Sequence, residues 1–166
     1  LPMEATYYNR LRNTQGNTNV LDVFVPPWAS QFLMIVQVEA KWDGQINDML
    51  MSALSGPNLH VKTVIAVDED VDIYDAEDIL WAVATRCDPA QHVRIQPGSR
   101  LHPLDAIIPE VGDEYTVMRI GGKMGIDATK PATWRKEERQ KFKRVDPMGK
   151  GDDAIERLLE MVRQPR

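Results

Sequence analysis

Apolar residues along the chain follow two spacings, and these predict alternating strands and helices. Stretches that are rich in β-branched residues, or that alternate apolar with polar positions, predict strands near 20–27, 32–40, 61–67, 92–98 and 114–122. Apolar residues three and four positions apart predict helices near 5–11, 44–54, 76–86 and 152–163. This alternation is typical of a three-layer α/β domain, so we predict a central, mainly parallel or mixed sheet built around strand 61–67. The basic stretch 130–144 follows neither spacing and is predicted to be irregular.

The size and charge of the chain limit the classes of protein to which it can belong. Its 166 residues suffice for one domain, which we assign to residues 1–166, with a C-terminal tail and helix at 145–166. The single cysteine, Cys87, excludes an internal disulfide, and no signal peptide is recognisable, so we expect a reducing, cytoplasmic location. The sequence has no apolar run long enough for a membrane span. The net charge of −5 argues against a nucleic-acid partner.

The stretch "DEDVDIYDAED", residues 68–78, holds seven carboxylates in eleven positions without a basic residue. Asp68, Asp70 and Asp72 have the spacing that opens an EF-hand loop, but Ile73 and Ile79 stand where that loop needs Gly and Glu. An EF-hand is therefore excluded, although a looser, weak site for a divalent cation stays open as an alternative. We expect no dedicated metal ligand in this chain.

The interpretation that we favour for the acidic stretch is a junction between a strand and a helix. Asp75 can cap the helix near 76–86, with Asp78 three residues later as in a capping box. Arg86 can balance the far end of the helix or bridge to the acidic residues, and Trp81 is expected to pack against the core with Leu80 and Ala84. Asp75, Trp81 and Arg86 are therefore predicted to be structural.

Other chemically notable residues carry weaker signals. His60, His92 and His102 lack the spacing of a metal site, and Cys87 follows a helix C-terminus, where a thiolate is disfavoured. The glycine-rich "GGKMG" at 121–125 can be either an anion cradle or a flexible turn, and its spacing favours the turn. From these patterns alone no self-contained catalytic group emerges.

Several segments, read in order, resemble the C-terminal domain of the UbiD family of decarboxylases. They are "NVLDVFVPP", "VKTVIAVDEDVDIYDAEDILWAVATRCDP", "PGSRLHPLD" and "GGKMGIDATKP". The resemblance extends from about residue 2 to 147. It implies reversible, non-oxidative decarboxylation of an aromatic, heteroaromatic or α,β-unsaturated acid with prenylated FMN, Mn²⁺ and K⁺. In that family the cofactor, the metals and an Arg-Glu-Glu catalytic group belong to preceding domains, so we expect this chain to be the C-terminal portion of a longer enzyme and to be inactive alone.

The resemblance also implies a role for this domain, in dimers or larger homo-oligomers and as a cap over the active site. The family's loop equivalent to "GSRLHPLD" faces the substrate, which makes His102 and Leu104 candidates for pocket residues. His102 and Pro103 depart from the family's usual residues, so the substrate stays open. One alternative is that His102 is an exposed turn residue. Two others are that the domain is a purely structural oligomerisation module, or that its acidic loop binds a cation independently.

Overall fold

The computed structural model describes residues 2–42, 44–55, 59–112, 118–132 and 136–142. Its α-helices are α1 (Pro2–Tyr8), α2 (Gln45–Leu54), α3 (Ala76–Arg86), α4 (Pro89–His92) and α5 (Lys136–Arg139). The strands are β1 (Val20–Phe24), β2 (Leu33–Val38), β3 (Thr63–Asp68), β4 (Val93–Leu101), β5 (Glu110–Val111) and β6 (Met118–Ala128). A π-helical stretch, Asn9–Thr14, continues α1, and short 3₁₀ turns occupy Pro27–Ala29 and Gln140–Phe142.

The strands form one mixed sheet in the order β1-β2-β3-β6-β4, with β5 paired to β6. β2, β3 and β6 are parallel to one another, whereas β1, β4 and β5 each pair antiparallel. The prediction of a mixed sheet around strand 61–67 is confirmed, because β3 lies in the middle of this order.

Side chains that alternate along β2 and β3 divide the core into two halves. Met34, Val36 and Val38 face one side, where they pack with α1, the π-helical stretch and α2. Ile35 and Ile65 face the other side, where they pack with α3. Helices therefore cover both faces of the central strands, and the three-layer α/β architecture is confirmed.

Strand β6 continues to Ala128, beyond the predicted end at 122, and it runs through "GGKMG". The segment is paired with β3 and β4, so the prediction of a flexible turn is wrong, and so is the alternative of an anion cradle, since these residues lie in a sheet ladder. The glycines are there for packing: a Cβ at Gly121 would lie 2.8 Å from Cδ1 of Ile108 and 2.9 Å from Cδ1 of Leu101. The predicted strand start near 114 lies in 113–117, outside the described residues.

The basic stretch 130–144 is more ordered than predicted where the structure describes it. Residues 136–142 form α5 and a 3₁₀ turn, and Arg139 is tied to Asp68 by an ion pair of 3.1 Å. A partner distant in sequence explains this order, which the local pattern could not indicate. The predicted helix 152–163 and the tail 145–166 lie outside the described residues. Within the described part, no helix is both long and apolar enough to cross a membrane.

Candidate functional site: an ion cluster and a braced loop

The acidic stretch follows β3 directly and leads into α3. Asp68 is the last residue of β3, and the Asp75 side chain caps α3 by accepting the N–H of Glu77 at 2.9 Å. The predicted capping box is not formed, because Asp78 Oδ2 instead accepts the N–H of Asp72 at 2.7 Å. The acids therefore fix the turn between strand and helix by bonding to its backbone.

Asp68 is fully buried and accepts hydrogen bonds from three separate segments. Its Oδ2 accepts the backbone N–H of Lys130 at 2.6 Å and Nη1 of Arg86 at 3.2 Å. Its Oδ1 accepts Nη2 of Arg139 at 3.1 Å. These contacts join the end of β3 to α3, to the residues after β6 and to α5.

Asp70 completes this arrangement, which we call the ion cluster: Asp68, Asp70, Arg86, Lys130 and Arg139. Both Asp70 oxygens accept from the Arg86 guanidinium at 3.0 Å, and Lys130 Nζ donates to Oδ2 at 2.8 Å. Such two-pronged pairs between arginine and carboxylate are geometrically specific as well as strong. Arg86 is buried and also donates to the Phe142 carbonyl at 3.0 Å.

The two carboxylates of the ion cluster respond to burial in opposite ways. Burial raises the pKa of Asp68 to about 6, because the Lys130 N–H and the charges of Lys130 and Arg86 offset only part of the desolvation. Burial also acts to raise the pKa of Asp70, but its hydrogen bonds from Arg86 and Lys130 together hold that pKa below its usual range. The cluster thus pairs a readily protonated aspartate with a firmly ionised one.

Basic side chains take the place that a cation would need beside these aspartates. Among the described residues no group of three or more His, Cys, Asp or Glu could hold a metal ion. Two acids facing two arginines and a lysine instead make a structural cross-link.

Trp81 packs against the core as expected, whereas Leu80 and Ala84 do not. Leu80 is 65% exposed and Ala84 is exposed, while Ile79 and Ala82 form the buried face of α3. Trp81 is partly buried, and the Arg86 guanidinium lies 4.8 Å from the centre of its ring. The prediction that Leu80 and Ala84 join Trp81 in packing is wrong, because Ile79, Ala82 and Val83 hold those places.

Cys87 follows α3 and is unsuited to act as a nucleophile. Burial raises the pKa of its thiol, and the charges of Asp127 and Asp88 raise that pKa further. The thiol form, which reacts poorly, is therefore favoured.

The second feature is the loop 102–108, at the end of β3 opposite the ion cluster. Asp105 is buried in this loop, and its oxygens accept from Lys62 Nζ at 2.8 and 3.0 Å. Arg119, on β6, donates to the carbonyls of Pro103 and Ile108 and also to Glu110. The loop is therefore held from two sides by basic residues.

The two predicted pocket residues, His102 and Leu104, both lie on this braced loop. The His102 ring stacks on His60 with a centroid distance of 4.2 Å, and its Nδ1 accepts the N–H of Leu104 at 3.1 Å. Leu104 is 78% exposed and the nearby Ile107 is 77% exposed. The brace thus presents two apolar side chains outward from a fixed backbone.

Sequence reasoning missed the residues that brace the loop. Lys62 is 43 positions from Asp105, and Arg119 is 16 positions from Pro103. The local signal in the sequence is Asp105, which stands among apolar residues between Leu104 and "AIIP". An aspartate that is buried in such a setting needs a basic partner.

A mixed α/β sheet with helices on both faces, an acidic strand-to-helix junction and a long glycine-bearing strand define the class of domain. Residues 1–128 match the family model described as the 3-octaprenyl-4-hydroxybenzoate carboxy-lyase C-terminal domain. The chain belongs to this family, the UbiD C-terminal domain.

Related proteins agree with this assignment. An uncharacterised protein of Archaeoglobus fulgidus is 35% identical over 122 residues, which is 71% of this chain and 23% of that protein. The UbiD-class enzyme HmfF from Pelotomaculum thermopropionicum, solved with FMN, has a TM-score of 0.70 and 30% identity, covering 89% of this chain and 30% of that one. A 3,4-dihydroxybenzoic acid decarboxylase from Enterobacter cloacae has a TM-score of 0.71 and 28% identity, covering 95% of this chain and 32% of that one. The chain thus spans about a quarter to a third of the length of these relatives.

Proposed function

We propose that this chain is the C-terminal portion of a decarboxylase that acts on an aromatic, heteroaromatic or α,β-unsaturated carboxylic acid. Membership of the family and its likeness to the 3,4-dihydroxybenzoic acid decarboxylase support the reaction class. HmfF has been solved with FMN and, in an evolved dimeric form, with prenylated FMN, which supports a flavin cofactor. In this proposal the preceding domains hold prenylated FMN, Mn²⁺, K⁺ and the Arg-Glu-Glu group. The bound flavin supplies the chemistry that breaks the bond to the carboxylate.

The contribution of this chain, in the proposal, is to supply part of the substrate pocket through loop 102–108. The observation that carries this is the outward display of Leu104 and Ile107 on a loop whose backbone is fixed by Lys62 and Arg119. Rigidly positioned side chains are what a binding site requires, and apolar ones suit contact with a ring or an alkene. Leu104 would lie against the ring or alkene of the acid.

His102 would add a polar contact to the same pocket. Because its Nδ1 accepts the Leu104 N–H, the neutral imidazole carries its proton on Nε2 and can donate from there. The stacked His60 supports the ring from behind, and burial together with the charge of His102 lowers the pKa of His60. The stack and this hydrogen bond together orient the His102 ring, so that its Nε2 is suited to donate to a substituent or to the carboxylate of the substrate.

We predict that His102→Ala, in the intact enzyme, changes substrate preference. The ratio of kcat/KM between hydroxylated and unsubstituted acids should shift by about tenfold, the size expected for one lost hydrogen bond to a charged or polar group. Cofactor content and melting temperature should stay near wild type. Steady-state kinetics over a panel of aromatic and unsaturated acids measure this.

The control for that experiment is His92→Ala. It removes the imidazole at the end of α4, just before β4 begins and at the opposite end of that strand from His102. It should leave the ratio unchanged. Unchanged ratios in His102→Ala would favour the alternative, a structural oligomerisation module with no contact to the active site.

Capping and oligomerisation complete the proposal. The vanillic acid decarboxylase of Sedimentibacter hydroxybenzoicus has been solved in a closed form that resembles this chain with a TM-score of 0.66 and 27% identity, and also in an open form. Two forms of a relative are consistent with a C-terminal domain that moves over the active site. The dimeric form of HmfF supports assembly into dimers or larger homo-oligomers.

A further inference from the structure

A small cavity of about 300 Å³ lies on the α2 side of the β4–β6 pair. It contains neither His102 nor Leu104. Its lining includes Leu54, Leu59, Gln96, Ser99, Arg100 and Lys123. Two basic residues and no acidic one belong to the described lining, and Lys123 is the buried one of the two.

A bulge in β4 creates this arrangement of side chains. Gln96 pairs with Lys123 and Ser99 pairs with Gly121, so β4 advances three residues while β6 retreats two. Since strand side chains alternate, Gln96 and Ser99 would face opposite sides without the extra residue. Gly98 has a φ of +67°, a left-handed conformation that glycine adopts readily. The bulge therefore turns Ser99 to the same side as Lys123.

Ser99 is the polar side chain that points to a ligand. Its residue is only 9% exposed, and its Oγ has no hydrogen-bond partner among the described residues. Buried hydroxyls are nearly always bonded, because desolvation without a partner is unfavourable. An acceptor in the cavity would satisfy this hydroxyl.

Lys123 contributes a buried cation to the lining of the same cavity. It is 4% exposed, and its Nζ donates to the carbonyl of Leu54 at 3.1 Å, at the end of α2. Burial lowers the pKa of Lys123, and the charge of Arg10 lowers it further. An anion in the cavity would raise that pKa and stabilise the ammonium form.

We propose that this cavity binds the carboxylate of a small organic acid, with Lys123 and Ser99 on the carboxylate and the apolar body against Leu54 and Leu59. Two leucine side chains favour an organic acid over inorganic phosphate, which has no apolar part to bury. Gln96 and the exposed Arg100 also belong to the lining. The site is distinct from the proposed substrate pocket and does not depend on turnover.

Benzoate titrated into the ¹⁵N-labelled chain, followed by amide chemical shifts, tests this proposal. We expect saturable shifts centred on the amides of Gly98, Ser99 and Lys123, and none with the neutral analogue benzamide. Lys123→Met should weaken benzoate binding by about tenfold and Ser99→Ala by about fivefold, while Lys41→Met, which removes an exposed lysine, should bind normally.

Three results would overturn the proposal. They are the absence of saturable benzoate shifts from a chain with a folded spectrum, equal shifts with benzamide, and binding of inorganic phosphate but not benzoate. Lys123→Met also removes the hydrogen bond to the Leu54 carbonyl at the end of α2, and the variant could lose its folded spectrum for that reason. In that case Ser99→Ala is the deciding variant, and benzoate binding as tight as in wild type would count against the site. The measurement uses no flavin, so its failure would leave the proposed decarboxylase function untouched.

Discussion

Arg86→Met should destabilise the domain by about 3–5 kcal/mol, the cost of removing one partner from a buried ion pair. The side chain of Arg86 is 1% exposed, and it contacts both aspartates of the ion cluster and the Phe142 carbonyl. Methionine keeps much of the aliphatic packing, so the loss reports on the guanidinium, including its ion pairs and its contact with the Trp81 ring. Urea denaturation followed by circular dichroism measures the free energy of unfolding.

The loss should depend on pH in a defined direction. Without Arg86, the pKa of Asp68 rises further above its value of about 6, while the unfolded chain keeps an ordinary aspartate. The folded variant then binds a proton more readily than the unfolded one, and its stability rises as pH falls. The difference between wild type and Arg86→Met should therefore be larger at pH 8 than at pH 5.

Arg100→Met is the matched control for Arg86→Met, because Arg100 is an exposed arginine on the same domain. It should change the free energy of unfolding by no more than about 0.5 kcal/mol. Equal, small effects of the two substitutions would show that the ion cluster contributes little to the free energy of unfolding and is not a structural cross-link.

The second large effect is expected at the base of loop 102–108, where Lys62→Met should lower kcat/KM of the intact enzyme by about a hundredfold. The Asp105 side chain is 5% exposed, and Lys62 supplies two of its hydrogen bonds. An unpaired buried carboxylate would draw the loop toward water and displace Leu104 and His102 from the substrate. This prediction rests on the proposed function of the loop.

Lys41→Met is the matched control, since Lys41 forms an exposed ion pair of 3.7 Å with Glu39. It should leave kcat/KM unchanged, and both variants should keep their flavin. A crystal structure of Lys62→Met would show whether the loop is displaced. If it is displaced and kcat/KM stays within about twofold of wild type, the loop does not form part of the substrate pocket.

The sequence predicts the centre of this fold well because the signals there are local. β3 is a run of β-branched and apolar residues covered on both faces, and α3 begins at an aspartate cap. The predicted strand 114–122 ends too early, before β6 does at Ala128, because glycines usually mark turns. Here Gly121 and Gly125 sit in a strand since Ile108, Leu101, Leu50 and Leu54 pack against their backbone.

The site was predicted only in part, because most of its contacts join segments that are far apart in sequence. His102 and Leu104 were found through a resemblance, and the structure shows them on one loop but does not test their role. The brace by Lys62 and Arg119 depends on sheet topology, which brings together segments far apart in sequence. The basic partners of Asp68 and Asp70 likewise come from α3, from the end of β6 and from α5, and of these only Arg86 was predicted as a partner of the acids.

The most direct test of the central claim is release of CO₂ by the longer protein that we propose contains this chain. Loaded with prenylated FMN, Mn²⁺ and K⁺, it should decarboxylate at least one acid from a panel of aromatic, heteroaromatic and α,β-unsaturated acids. The 166-residue chain with the same additions should release none. Turnover by the isolated chain, or a flavin-loaded longer protein that leaves every acid intact, would contradict the account.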